Sequence, residues 1–252
     1  SVMTYFPFPG MQRGNKGAGE VGVTAFSVPE GSLGFWENRL SGLQISDVSK
    51  SELFGEKRLY LSGPDGDEFA LVETANDDRS PWVTVDVPED VAIRGFHSTS
   101  MRLKDGAGMQ ELLSFMNYEV LDKSGDVTRL SVNKGNGAHV LDLEILPSAQ
   151  QSDQGAGSVH HIAFSVEDRE AQLRVRDGLI NTGYAVTPVI DRDYFWAIYF
   201  RTPGGILFEV ATNEPGFDRD EERAELGSGL KLPTQHEHLR ADLEKHLEPI
   251  QD

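Results

Sequence analysis

Glu209 stands inside an apolar run, Ile206-Leu207-Phe208-Glu209-Val210. A carboxylate taken out of water without a partner is expensive, so this one demands a cation, a strong hydrogen-bond set or a metal. His161 follows a second apolar lead, Val159-His160-His161-Ile162. Two histidines and one carboxylate with open coordination positions make the non-haem Fe(II) arrangement. The stretch 159–212 offers one such histidine and one such carboxylate. A plainer reading stays open beside it: Glu209 pairs with Arg192 or Arg201, and His161 is an ordinary satisfied histidine.

The elements that must position these side chains follow from periodicity and turn chemistry. A short strand carries His160 and His161. A helix is predicted over Glu170–Ile180, with Gly183 as its stop. Three strands follow at Tyr184–Ile190, Tyr194–Phe200 and Ile206–Ala211. The last two are joined by Thr202-Pro203-Gly204-Gly205, where proline presets φ and glycine accepts positive φ, as in a type II turn. The unit thus reads βαβββ. If its first and last strands face a common hollow, His161 and Glu209 meet there, because alternate residues of a strand share a face.

Two earlier stretches repeat this order at a spacing that suits duplicated supersecondary modules. Residues 20–76 hold a strand over Glu20–Val28, a helix capped by Ser32 and running to Leu40, and strands at Leu59–Leu61 and Phe69–Thr74 around a Pro64-Asp65-Gly66 turn. Laid over the last module, Val23 and Val72 fall at the positions of His161 and Glu209, so this module is read as structural. Residues 91–147 hold a strand over Ile93–Leu103, a helix over Gly108–Asn117 and strands at Val127–Asn133 and His139–Leu146. There His97 and Glu144 fall at the two positions, a relic of duplication rather than a second working metal site. Residues 1–19 are a strand remnant, Val2–Phe8, and a glycine-rich loop. Residues 77–90 and 148–158 are linkers, and the aspartates of the first lack the spacing of a calcium loop. Residues 218–252 form an acidic tail. It has a solvated helix at Asp218–Glu225, a break at Gly227–Pro233 and a helix ending at Pro249 that packs Leu239, Leu243 and Leu247 on the body. His236 and His238, two apart, do not share a helix face and are not read as a metal site. The fold class is therefore α+β, three βαβββ modules.

Composition narrows the partners. The 252 residues carry 41 acidic and 23 basic side chains, a formal charge of −18. That argues against nucleic acid or an anionic membrane as partner. With no cysteine, thiolate ligation and disulfides are excluded. No run is long enough for a membrane span and no signal peptide is visible, which makes a cytoplasmic protein the default.

The words VHHIAFSVED, TPVIDRDYFWAIYFRTPGG and ILFEVATNEPGF resemble the last module of ring-cleaving extradiol dioxygenases in the glyoxalase/bleomycin-resistance (vicinal oxygen chelate) superfamily, most of all the hydroquinone-cleaving branch. The resemblance covers 159–217. It implies that His161 and Glu209 are metal ligands for Fe(II) or Mn(II), and that His160, Arg192 and Tyr199 serve catalysis. His160 would act as acid and base near neutral pH, with Arg192 and Tyr199 stabilising developing oxyanion charge. It also implies a small aromatic substrate, O2, and a further metal-binding histidine in a module that precedes these three. A homodimer in which two last modules pair is the expected oligomer. Two rivals come from the same superfamily. One is a glyoxalase-like isomerase, which needs two carboxylates. The other is a drug-sequestering protein, which needs no metal.

Overall fold

A computed structural model describes residues 2–133, 135 and 137–248. The predicted end of the last helix at Pro249 lies outside the described residues. The chain divides into two compact units. One holds the described residues up to His161 together with Thr202–Ile206, and the other holds Ile162–Arg201 and the described residues from Leu207.

The first unit is built on an eight-stranded sheet of two four-stranded halves. The first half contains β1 (Glu20–Pro29), α1 (Leu33–Gly42), β2 (Val48–Leu53), β3 (Glu56–Ser62) and β4 (Glu68–Thr74). The second contains β5 (Gly95–Leu103), α2 (Ala107–Phe115), β6 (Tyr118–Ser124), β7 (Val127–Val132) and β8 (Val140–Ile145). The strand order is β2-β3-β4-β1-β5-β8-β7-β6, and β1 meets β5 antiparallel at the centre. Each half is a βαβββ module whose first and last strands run parallel. The core of the first half is Val28, Leu33, Leu40, Leu59 and Leu71, with Phe26 and Trp36 packed against it. In the second half Met101, Leu103, Met109, Leu113, Leu130 and Leu143 are buried.

The second unit is one more module. β9 (Ile162–Val166) is followed by α3 (Arg169–Asn181), β10 (Ile190–Asp191), β11 (Phe195–Arg201) and β12 (Leu207–Pro215), in the order β10-β11-β12-β9. Asp168 caps α3 by accepting from the Ala171 amide at 2.8 Å, one of the orphan donors of a helix start. Thr182 closes the helix and Gly183 follows at φ 94°, which is the left-handed stop expected of that glycine. Phe164, Phe200 and Phe208 form an aromatic cluster, with ring centroids 4.7 Å and 5.9 Å from that of Phe208. Gln172 of α3, wholly buried, donates Nε2 to the carbonyls of Trp196 at 2.7 Å and Val210 at 2.8 Å. It ties the helix to both central strands.

Residues 2–8 form no strand; the segment up to β1 is held instead by isolated bridges, Arg13 to Ala156, Asn15 to Asp153 and Ala18 to Gln151. Tyr184–Ile190 is not a full strand, since only a bridge from Val186 to Phe200 and the two residues of β10 pair there. His160 and His161 sit just before β9 rather than in it. Ser32 stands at the start of α1 but gives no side-chain cap; its hydroxyl donates to Pro29 O at 2.6 Å. Asp218–Glu225 is two single 3-10 turns rather than a helix, and α4 (Arg240–His246) follows a third. Leu239 and Leu247 are 40 % and 50 % exposed, so the tail does not dock through a leucine stripe. No helix among the described residues is long and apolar enough to cross a membrane.

Candidate metal and oxyanion site

The β11–β12 ladder sets Tyr199 directly opposite Glu209, and the parallel β12–β9 ladder sets Glu209 opposite Ala163, two residues after His161. Directly opposed residues share a face of the sheet. Phe208 and Val210 flank Glu209 on β12 and are fully buried on the other face. Glu209 itself is 3 % exposed. The Tyr199 hydroxyl bonds it, and burial together with the Glu209 charge holds the phenol above its ordinary range, against an opposing pull from Arg192. The phenol is therefore protonated near neutral pH and is available as a donor.

Arg192 completes this cluster from the turn after β10. Its guanidinium carbon lies 5.5 Å from the Tyr199 ring centroid, and Nη2 donates to the Tyr199 hydroxyl at 3.3 Å. Arg192 thus reaches the phenol that faces Glu209.

The two histidines belong to the first unit. His160 Nδ1 lies 2.8 Å from His161 Nδ1, so one ring donates and the other accepts. The Phe6 ring rests beside both, its centroid 5.4 Å from that of His160 and 6.4 Å from that of His161. The structure thus groups Arg192, Tyr199 and Glu209 in one unit, and His160 and His161 in the other. A buried carboxylate and an imidazole are suitable donors for Fe(II) or Mn(II). Among the described residues no group of three or more His, Asp or Glu side chains converges as a metal cage.

Register places the corresponding positions of the other modules, and it moves three of the sequence assignments. In the first module Ala25 pairs with Ala70, so Ala70 rather than Val72 matches Glu209. In the second, Ser100 pairs with Asp142, so Asp142 rather than Glu144 matches Glu209, and Ser98 rather than His97 matches His161. Glu144 lies two residues further on and bonds Arg102 at 3.2 Å.

What surrounds Asp142 was not visible in the sequence reading. Arg129 faces it across the β7–β8 ladder, where Tyr199 faces Glu209. Arg129 also reaches Glu56 at 2.7 Å, Arg58 reaches the same Glu56 oxygen at 2.7 Å, and His97 Nε2 meets the other at 3.0 Å. Two guanidiniums already answer the two carboxylates, which leaves no role there for a metal cation. The signal was an arginine inside each of the two alternating strands EKRLYLS and VTRLSV.

A model of the glyoxalase/bleomycin resistance protein/dioxygenase superfamily matches residues 27–210. MhqO of Bacillus subtilis, which carries the name of a ring-cleaving dioxygenase, is 39 % identical over 252 residues, all of this chain and 80 % of that protein. The chlorohydroquinone/hydroquinone 1,2-dioxygenase of Sphingobium indicum is 34 % identical over 253 residues, 95 % of this chain and 77 % of its own length. A crystal structure of a Bacillus subtilis protein titled as a dioxygenase superposes with a TM-score of 0.91 at 39 % identity, over 98 % of this chain and 79 % of that one. Glyoxalase I from Zea mays, at 15 % identity and a TM-score of 0.55 over 80 % of this chain and 70 % of that one, shares the fold.

Proposed function

The chain belongs to the glyoxalase/bleomycin resistance protein/dioxygenase superfamily, and from that premise we propose that it is a metal-dependent, extradiol-type dioxygenase that opens a hydroquinone-type ring with O2. The observation that carries the reading is Glu209, a carboxylate 3 % exposed and bonded by a protonated phenol, in a chain whose relatives at 39 % and 34 % identity are named a ring-cleaving dioxygenase and a chlorohydroquinone/hydroquinone 1,2-dioxygenase.

Glu209 and His161 would hold the metal. Fe(II) or Mn(II), when bound, would supply Lewis acidity and one-electron redox chemistry. The remaining steps belong to the chain. The Tyr199 hydroxyl orients the Glu209 carboxylate, as outer-shell partners orient metal ligands. Arg192, next to that hydroxyl, offers a fixed positive charge to oxyanion character developing on the ring. His161, tied through Nδ1 to His160, would ligate through Nε2. His160 is exposed, and an imidazole suits a group that takes and returns the substrate's hydroxyl proton.

Glu209→Ala tests this directly. Elemental analysis should show bound iron lost, and O2 uptake with added Fe(II) and methylhydroquinone should disappear. Iron retained at wild-type stoichiometry would overturn the ligand assignment. No ring-dependent uptake by the wild type would overturn the reaction.

A further inference from the structure

Asp193 is 9 % exposed and sits at φ 69°, in the left-handed region that non-glycine residues other than Asn, Asp and His seldom enter. The C-terminal tail grips it. Thr234 donates to Asp193 Oδ1 from its hydroxyl at 2.8 Å and from its amide at 3.3 Å. Arg219 donates Nη1 to the Asp193 carbonyl at 2.5 Å, and the same nitrogen lies 3.5 Å from Oδ1. These bonds, the Thr234 hydroxyl's foremost, hold the Asp193 carboxyl below its ordinary range. The neighbouring Tyr194 is tied to the same segment, its hydroxyl donating to Asp220 Oδ2 at 3.1 Å and its ring stacked on Phe217 at 5.4 Å.

The turn so held is short. Asp193 N donates to Asp191 Oδ1 at 2.8 Å, and Arg192 N donates to Phe195 O at 2.9 Å. β10, which precedes it, is two residues long, so strand pairing alone fixes little of the backbone at Arg192. Yet Arg192 is exposed and must keep a long side chain over Tyr199. Side-chain rotamer freedom opposes that pose unless the backbone beneath it is fixed.

We propose that Asp193 is a positioning residue: clasped by Thr234 and Arg219 of the tail, it locks the 191–194 turn so that Arg192 is aimed at the Tyr199 hydroxyl beside Glu209. The proposal rests on the oxygenase reading above and deepens it, by making the acidic tail a part of the site's construction.

Two measurements on the full chain test it. Hydrogen exchange reads the lock itself, whatever the chemistry. In Thr234→Val the amides of residues 191–195 should exchange faster, and in Thr234→Ser they should not. Unchanged exchange in Thr234→Val overturns the lock. Kinetics read its purpose. Thr234→Val should lower kcat for methylhydroquinone cleavage roughly ten- to a hundredfold, with KM and bound iron unchanged and Thr234→Ser restoring the rate. In an Arg192→Ala background the same change should have no further effect on kcat. Additive losses would show that Thr234 acts on stability and not through Arg192, and would overturn the positioning role. Faster exchange in Thr234→Val beside an inactive wild type would support the lock and overturn the proposed reaction.

Discussion

Arg129 closes on Asp142 through two parallel hydrogen bonds, Nε to Oδ1 at 2.8 Å and Nη2 to Oδ2 at 2.9 Å. The pair occupies the same register in the second module that Tyr199 and Glu209 occupy in the third. One duplicated position has therefore been spent in two ways. A guanidinium faces the buried carboxylate in the first unit, and a phenol faces it in the second.

Arg129→Met should destabilise the fold by roughly 3–5 kcal/mol, because Asp142 and Glu56 lose a charged partner at a site where Arg129 and Asp142 side chains are 4 % and 3 % exposed. Urea unfolding measures it. Adding Asp142→Leu should recover part of the loss, since removing both ends of a buried pair is milder than orphaning one. Bound iron should be unchanged in both variants.

Glu56 makes the same network sensitive to acid. Burial alone would raise its carboxyl, but hydrogen bonds from His97, Arg129 and Arg58 hold it down at about 2. Its folded value lies below its ordinary value of 4.5. The stability it contributes is therefore fully present above about pH 4.5 and is lost as pH falls from there towards 2. In Glu56→Gln this part of the acid limb should flatten, as read by circular dichroism against pH.

The third module was the most legible in the sequence, and the reasons are particular. Glu209 announces itself because its neighbours Phe208 and Val210 are apolar, and the Pro203-Gly204 turn fixes the hairpin that presents it. Two strands escaped notice, β2 and β6. Both are sheet edges, and in VSKSEL and YEVLDKS most side chains are exposed, so neither has the apolar alternation that marks a half-buried strand. Alternation also fixes parity but not register. Asp142 and Glu144 share a face, and pairing with Ser100 selects the first. The ion network of Glu56, Arg58, Arg129 and Asp142 was unreadable for a further reason. Its two pairs, Glu56 with Arg58 and Arg129 with Asp142, lie in different modules, and charge in a strand reads as a solvated face until the partner module is in place. The tail misled in the opposite sense: Leu239, Leu243 and Leu247 have helical spacing, but Thr234 and Arg219 make the attachment.

Gln172→Leu should destabilise the fold by roughly 1–3 kcal/mol, the penalty for buried carbonyls that lose their donor. The loss falls at Trp196 and Val210, which Gln172 bridges from α3. Val210 adjoins Glu209, so the change should also loosen the carboxylate's strand. Faster amide exchange in β12 than in β4 of the same variant would show this. Uniform loss of protection across the chain would assign the effect to global stability alone.

Tyr199→Phe separates the phenol's hydrogen bond from its bulk. The ring keeps its place between β10 and β12, and Arg192 can still lie over its face. What disappears is the donor to Glu209 and the acceptor for Arg192 Nη2. Outer-shell partners of metal ligands are worth roughly 10–100-fold in affinity or activity, and one oxyanion donor roughly 100–1,000-fold in kcat. If Tyr199 only orients Glu209, iron affinity should fall within the first range and kcat at saturating iron should recover. If it also steadies Arg192 for the developing oxyanion, kcat should stay depressed by the larger factor with iron fully loaded, and Arg192→Ala should add little to it. Steady-state O2 uptake across an iron titration distinguishes the two.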